Sequence, residues 1–399
     1  MKYIGILGFG IVGGGVAELI DQTRAQFETQ LGGESVEVKR ILDLRDFPGS
    51  PWADRVVRDV SAITDDPEIS LVVEAMGGSR PAVDYTRACL KAGKHVVTSN
   101  KEVVANFGAE LLALAAENNV RYMFEASVGG GIPIIRALRT GLRNDRITEI
   151  EGILNGTTNY ILTRMQDAGL SFDDALAEAQ KLGYAEANPS ADIDGTDSQR
   201  KIVILSALAT GALPDVSGVY VQSLRGIGTA DIDAARRLGG AVKLVCRAKI
   251  EEEGVYLSVC PAILPFSNPL AHIRDVYNGV VVRGALTGDV MLYGRGAGRY
   301  PTAGAILSDI VSVYSGAEEA VRHESWTRGE NILPAHTLKC RRYVRYRADA
   351  PESAAIAGDR IAGSPEGFTE VITPAVDDDQ LAKMLAGAKI TPVSVLRVF

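Results

Sequence analysis

Asp197 and Lys201 stand four residues apart in YAEANPSADIDGTDSQRK (residues 184–201), with Glu186 and Asp192 just upstream. On a helix that spacing puts both side chains on one face. An exposed pair of this kind contributes only about 0.3–0.5 kcal/mol. Here the pair runs straight into the apolar stretch IVILSALATGAL, so the helix begins at the edge of a core. Carboxylates in such a place can hold a substrate ammonium. A lysine drawn partly out of water can carry the proton that an alcohol gives up as hydride leaves. The stretch has no histidine, so lysine is what remains for the proton step. A second lysine, Lys101, follows HVVTSN at the carboxyl end of an expected strand, where ligands bind in parallel sheets.

A partner for hydride chemistry is written at the start of the chain. KYIGILGFGIVGGGVAELIDQ reads as strand, glycine turn and helix, with Gly8-x-Gly10-x-x-Gly13 in the turn. In that context the first glycine allows a tight turn. The second lets backbone approach a pyrophosphate, and the third lets helix pack on strand. The helix N-terminus then faces phosphate charge. The expected ligand is NADP or NAD. LDLRDF ends the second expected strand (residues 36–44) and offers Asp43 or Asp46 to ribose hydroxyls and Arg45 to a 2′-phosphate. Arg45 leans the choice to NADP without closing it.

These residues need elements to hold them. Expected strands at ISLVVEAMGG, HVVTSN and VRYMFEAS alternate with helices YTRACLKAG and GAELLALAAENN, the pattern of a parallel sheet with crossover helices. The expected class is α/β, with a Rossmann-type doubly wound sheet over residues 1–147, onto which a helix at about 302–314 packs back. Residues 148–337 are expected to form a mixed α/β substrate domain, in which GVYLSVCPAIL and NGVVVRGALTGDVMLYGRG are antiparallel strands. Residues 338–399 hold two strand-like ends and a short helix, DDQLAKMLAG.

A chain of 399 residues exceeds one ordinary core, and its 46% apolar content can fill several. The net charge of −8 speaks against a nucleic-acid surface. The basic run KCRRYVRYR alternates with apolar residues and reads as a solvated strand face. Cys89, Cys246, Cys260 and Cys340 form no CxxC pair, which fits a reducing cytoplasm. His95, His272, His323 and His336 lack metal-ligand spacing. No apolar run is long enough to span a membrane, and the glycine turn interrupts any signal-peptide layout.

Six motifs in order resemble the homoserine dehydrogenase family: GFGIVGGG, VVTSNKEVVA, EASVGGGIPII, EGILNGTTNYIL, LGYAEANPSADIDGTDSQRK and GRGAGRYPTAGAILSD. The resemblance implies reversible oxidation of L-homoserine to L-aspartate 4-semialdehyde with NAD(P), in threonine, methionine and isoleucine biosynthesis. It implies Lys201 as the proton carrier and Lys101 as its neighbour near substrate and nicotinamide. It implies Glu186 and Asp197 as substrate carboxylates, supported by Asp192. Gly10, Ile11, Val12, Ser99, Lys101, Gly156 and Gly298 are implied for the cofactor, beside Gly8, Gly13 and Arg45 read from the turn and the second strand. Glu125, with the backbone of Val128, Gly130 and Ile132, is implied as a site for Na+ or K+, against the alternative of an ion-free turn. A homodimer is implied as well. Two positions depart from the family. Asn188 stands where an aspartate is usual, and residues 338–399 resemble a truncated ACT module, which points to a structural role rather than threonine sensing. The same fold also accommodates a dehydrogenase of another small amino or hydroxy acid.

Overall fold

The computed structural model describes residues 1–316, 325–329, 331–348 and 356–399, so His323 and part of the tail's middle lie outside it. The chain divides into two compact units: 1–145 with 203–216 and 294–330, and 146–202 with 217–293 and 331–399.

In the first unit, strands Lys2–Leu7 (β1), Val36–Leu42 (β2), Val56–Val57 (β3), Ile69–Glu74 (β4), His95–Thr98 (β5) and Tyr122–Met123 (β6) form a sheet of order β3-β2-β1-β4-β5-β6. Every pairing in it is parallel. This is the dinucleotide-binding strand order, with its reversal between β1 and β4. Parallel strands need both faces covered. Helices Ile11–Gln22 and Arg299–Ser315 cover one face, packing Val16, Ala17, Ile20, Ile306 and Ile310 on Ile4, Ile6, Val38 and Leu71. Fully burying one such side chain contributes about 1.5–3 kcal/mol. Val72 and Val96 alternate to the opposite face, which helices Ala82–Lys91 and Lys101–Glu117 cover with Val83, Leu90, Val104 and Leu111. Strand Ala212–Pro214 (β8) pairs in parallel with Thr327–Gly329.

The second unit is built on a longer, mixed sheet. Ile147–Ile153 (β7), Tyr220–Val221 (β9), Gly240–Ile250 (β10), Val255–Pro265 (β11), Tyr277–Gly284 (β12) and Gly288–Arg295 (β13) belong to it. So do Arg341–Arg347 (β15), Asp359–Arg360 (β16), Phe368–Ile372 (β17) and Pro392–Val398 (β18), β14 being Thr327–Gly329. Its order is β13-β12-β7-β10-β11-β18-β15-β17-β16. As expected, GVYLSVCPAIL and NGVVVRG pair antiparallel, with β10 and β7 respectively. The C-terminal strands continue this sheet: β18 joins β11 in parallel through Ala262↔Arg397 and Ile263↔Val398.

The basic run departs from its expected solvated face. In β15, Arg342 is 2% exposed and Arg345 9%. β15 lies between β17 and β18, so both of its edges are paired and the arginines need partners inside the fold. Arg342 meets Asp378 at 2.6 Å, and Arg345 meets the fully buried Asp231 at 3.2 Å. Removing one partner of a buried pair strands the other charge. Arg345→Ala is therefore expected to lower stability by about 3–5 kcal/mol in equilibrium denaturation. A change below about 1 kcal/mol would show that the pair carries no such constraint.

Candidate active site

The second unit gathers the sequence-marked charges at one helix start. Strand β7 ends at Ile153, and Asn155 caps the helix Gly156–Ala168. The cap Oδ1 accepts the Thr158 N–H at 2.9 Å and its hydroxyl at 3.0 Å. The Asn155 Nδ2 donates to Asp192 Oδ1 at 2.7 Å and to Asp197 Oδ2 at 3.0 Å. Asp197 lies in the first turn of the helix Thr196–Thr210. One turn on, the Lys201 Nζ is 2.7 Å from Asp197 Oδ2 and donates to the Leu154 carbonyl at 2.6 Å. Burial separates this pair from an ordinary surface pair: Asp197 and Lys201 are each 8% exposed and Asn155 5%. Burial pushes the Asp192 carboxyl up, and the Asp197 charge adds to that against the Asn155 hydrogen bond.

Glu186 does not join this cluster. It is exposed in the turn before Pro189, where its carbonyl accepts from Gln180 Nε2 at 3.1 Å. Asn188 is exposed too, its Oδ1 accepting the Ser190 N–H at 3.3 Å. Asp194 turns to Ser223 and Arg225, each at 2.9 Å. Gly156 sits where a Cβ would come within 2.8 Å of the Val276 carbonyl oxygen.

In the first unit the glycine turn links β1 to its helix. Gly8 has φ +88°, and a Cβ on Gly13 would stand 2.0 Å from the Gly8 carbonyl oxygen, so a side chain at 13 cannot fit. The Phe9 N–H donates to Asp43 Oδ2 at 2.8 Å, fixing the turn to the end of β2. Arg45 holds the same carboxylate through Nε at 3.0 Å and a terminal nitrogen at 2.8 Å. These bonds hold the Asp43 carboxyl far below the usual range, against the effect of its partial burial. The exposed Arg45 guanidinium reaches to 4.0 Å of a Cβ built on Gly10. Ile11 opens the helix 75% exposed, and Val12 is half-buried. Ser99 and Lys101 flank Asn100, which caps the helix after β5 by accepting the Val103 N–H at 3.2 Å.

Glu125, Val128, Gly130 and Ile132 share one buried loop, apart from the more exposed neighbour at 131. The Glu125 carboxylate accepts the N–H groups of Ile135 at 3.0 Å and Arg136 at 2.7 Å. Burial, then the neighbouring Asp309, pushes it up to about 8. Each of its carboxylate oxygens thus accepts one backbone N–H at a helix start and keeps a second lone pair. Gly130, at φ +52°, packs against the Gly296 backbone, and Gly298, at φ +125°, heads the helix Arg299–Ser315. No group of three or more His, Cys, Asp or Glu suited to a metal occurs among the described residues. Nor is any described helix long and apolar enough to cross a membrane.

Sequence reasoning placed Asp197, Lys201 and Asp192 near one another but passed over Asn155. Its signal was an asparagine between a strand end and the glycine that opens a helix, a cap position.

The strand order, the glycine turn and the lysine–carboxylate cluster define a dinucleotide-dependent oxidoreductase of the α/β class. Comparison with known proteins narrows the class. Residues 8–125 match the family model "Homoserine dehydrogenase, NAD binding domain" and residues 133–311 match "Homoserine dehydrogenase". A homoserine dehydrogenase of Synechocystis is 42% identical over 78% of this chain and 72% of its own. One from Neisseria gonorrhoeae is 35% identical over 96% and 90% respectively. The crystal structure of a homoserine dehydrogenase from Thiobacillus denitrificans superposes with a TM-score of 0.90 at 32% identity, covering 100% of this chain and 98% of that one. A hyperthermophilic archaeal homoserine dehydrogenase mutant in complex with NADPH gives 0.67 at 31% identity, over 78% of this chain and 98% of that one. The chain belongs to the homoserine dehydrogenase family, enzymes that use NAD(P) to oxidise an alcohol.

Asn155 offers a clean separation of cap from charge. Asp caps helices as well as Asn does, so Asn155→Asp keeps the helix start but sets a third carboxylate against Asp192 and Asp197. Asn155→Asp is expected to melt below wild type, because it removes two N–H donors and adds a carboxylate at a buried position, and to lose about a hundredfold in kcat/KM. Wild-type turnover in that variant would remove Asn155 from the site.

Proposed function

We propose that the chain interconverts L-homoserine and L-aspartate 4-semialdehyde, with NADP or NAD as hydride carrier, in threonine, methionine and isoleucine biosynthesis. The observation that carries this reading is the cluster of buried Asn155, Asp197 and Lys201 with half-buried Asp192 in a chain with a dinucleotide turn. Asp197 and Asp192 receive the substrate ammonium, and Glu186 on its exposed turn is available as a third carboxylate. Lys201 carries the proton at the substrate oxygen. As the acid, Lys201 directs two N–H bonds to Asp197 and the Leu154 carbonyl and the third to the substrate oxygen; as the base it meets the alcohol as the neutral amine, with its lone pair in place of that third N–H. Lys101 is assigned to the substrate and nicotinamide end of the first unit's ligand.

The bound cofactor supplies a hydride acceptor at the nicotinamide ring. Gly8, Gly10, Ile11, Val12 and Gly13 hold its pyrophosphate at the helix N-terminus, and Ser99 and Gly298 contribute further contacts. Arg45 meets a 2′-phosphate. The support is its exposure and its hold on Asp43, whose carboxylate would otherwise repel that phosphate. In the oxidative direction Lys201, as the neutral amine, would take the alcohol proton while the nicotinamide of a bound cofactor would take up the hydride, leaving a carbonyl and a charged lysine. Na+ or K+ is assigned to Glu125 and the backbone carbonyls of Val128, Gly130 and Ile132. We further assign a cytoplasmic homodimer formed through the second unit. Residues 338–399 have a structural role, supported by the buried Arg342 and Arg345 pairs.

The purified chain is expected to reduce NADP or NAD only when L-homoserine is present. Because a proton is released, the equilibrium shifts toward oxidation by about tenfold per pH unit. Lys201→Ala is expected to lose about 10²–10⁴-fold in kcat with cofactor affinity intact. Inactivity of the folded wild type with both cofactors would overturn the reading. Surviving turnover in the variant would overturn the role of Lys201 alone.

A further inference from the structure

The carboxyl end of β4 carries a buried acid that the reaction above leaves unused. Glu74 is 0% exposed and lies at the reversal of strand order, opposite Leu7 of β1 and Thr98 of β5. Its Oε2 accepts the Thr98 hydroxyl at 2.5 Å, and its Oε1 accepts the Met76 N–H at 2.8 Å. The Asn100 amide reaches Oε1 at 3.4 Å and donates to the Gly78 carbonyl at 2.8 Å. The Thr98 hydroxyl oxygen in turn accepts the Asn100 N–H at 2.9 Å. One carboxylate therefore ties the loop after β4 to the turn that presents Ser99 and Lys101. The same loop borders the glycine turn: the Ala75 N–H donates to the Leu7 carbonyl at 2.9 Å, and a Cβ on Gly8 would meet Ala75 and Met76 at 3.0 Å.

We infer that Glu74 is a positioning residue whose charged carboxylate holds residues 76–78 and 99–101 in the arrangement that receives the dinucleotide. The inference rests on the reading above, in which the first unit binds NAD(P) along this sheet edge. All three donors to Glu74 are neutral, and it pairs with no cation among the described residues. The titratable groups that face it are Cys89 on the helix Ala82–Lys91 and Tyr122 on β6. Burial pushes the Cys89 thiol up to about 12 and raises the Tyr122 hydroxyl as well, so both stay neutral. Lys94, behind Cys89, donates to the Asp66 carbonyl at 2.6 Å. Burial pushes Glu74 up to about 7, against the pull of Thr98, Met76 and Asn100. Protonation puts a hydrogen where one of those donors points, so the two loops lose a tie as pH falls through neutrality. Stability runs the other way. A carboxyl raised in the folded state favours folding below its unfolded value near 4.5, and that contribution is lost as pH rises through about 7.

The test is NADPH affinity of the full chain from pH 5.5 to 8.5, with Glu74→Gln and Glu74→Asp beside wild type. The 2′-phosphate titrates alike in all three, so the comparison isolates the protein. Wild type is expected to weaken by about tenfold per unit below pH ~7, beyond any change seen in Glu74→Gln. Glu74→Asp is expected to keep a step. The melting temperature of Glu74→Gln should gain on wild type as pH rises from 4.5 to 7, the interval in which the unfolded chain has lost this proton and the folded chain still holds it. Parallel affinity profiles for wild type and Glu74→Gln would overturn the inference while leaving the cofactor reading intact. If wild type binds no NADPH at any pH, the cofactor reading fails and the inference with it. Should Glu74→Gln not fold, Thr98→Val carries the test. It removes a donor to the charged form, so the step should move to higher pH, and an unmoved midpoint would overturn the inference.

Discussion

One amide side chain holds two carboxylates together in a nearly dry place. Asp192 and Asp197 would repel each other there, and each would be expensive to keep charged alone. Asn155 gives each of them an N–H, and Lys201 neutralises one of the two charges. The cluster keeps an unspent negative charge. The ammonium end of an amino acid restores neutrality locally, so the electrostatic need of the fold and the need of the substrate are the same need. The Leu154 carbonyl completes this by aiming the lysine, since it fixes Nζ from the backbone of the segment that also bears Asn155.

The first unit solves a different problem, the approach of backbone to phosphate. Its parallel sheet buries both faces, which forces every strand to end in a loop on one edge. At that edge the side chains with polar work to do are few and interlocked. Asp43 ties the glycine turn to Arg45, and Glu74 ties the neighbouring loop to the cap at Asn100. Both acids serve backbone N–H groups, so their charge acts on loop shape before it acts on any ligand.

Much of this was legible in residue types and spacing. The β1–turn–helix unit could be read because Gly8, Gly10 and Gly13 fall between a period of two and a period of 3.6. Asp197 and Lys201 could be read because four residues make one helical turn. Asn155 could not be joined to them: 37 residues separate it from Asp192, and only the packing of two helix starts brings them within 2.7 Å. Glu186 was assigned to the substrate through its motif, and the exposed segment before Pro189 leaves it outside the hydrogen bonds that join Asn155 to Asp192 and Asp197. The basic run misled. Its alternation suggested one wet face, while the partners that bury Arg342 and Arg345, Asp378 and Asp231, lie far off in the chain. Long-range charge pairing leaves no period to read.

The most direct test of the central claim compares binding of L-homoserine and 4-hydroxybutyrate, the same alcohol and carboxylate without the ammonium, by calorimetry in the presence of NADPH. If the Asn155-bound carboxylates exist to receive an ammonium, homoserine binds measurably and the analogue at least about a hundredfold more weakly, the loss expected when a buried charge is left unpaired. Equal affinity for the two ligands would contradict it.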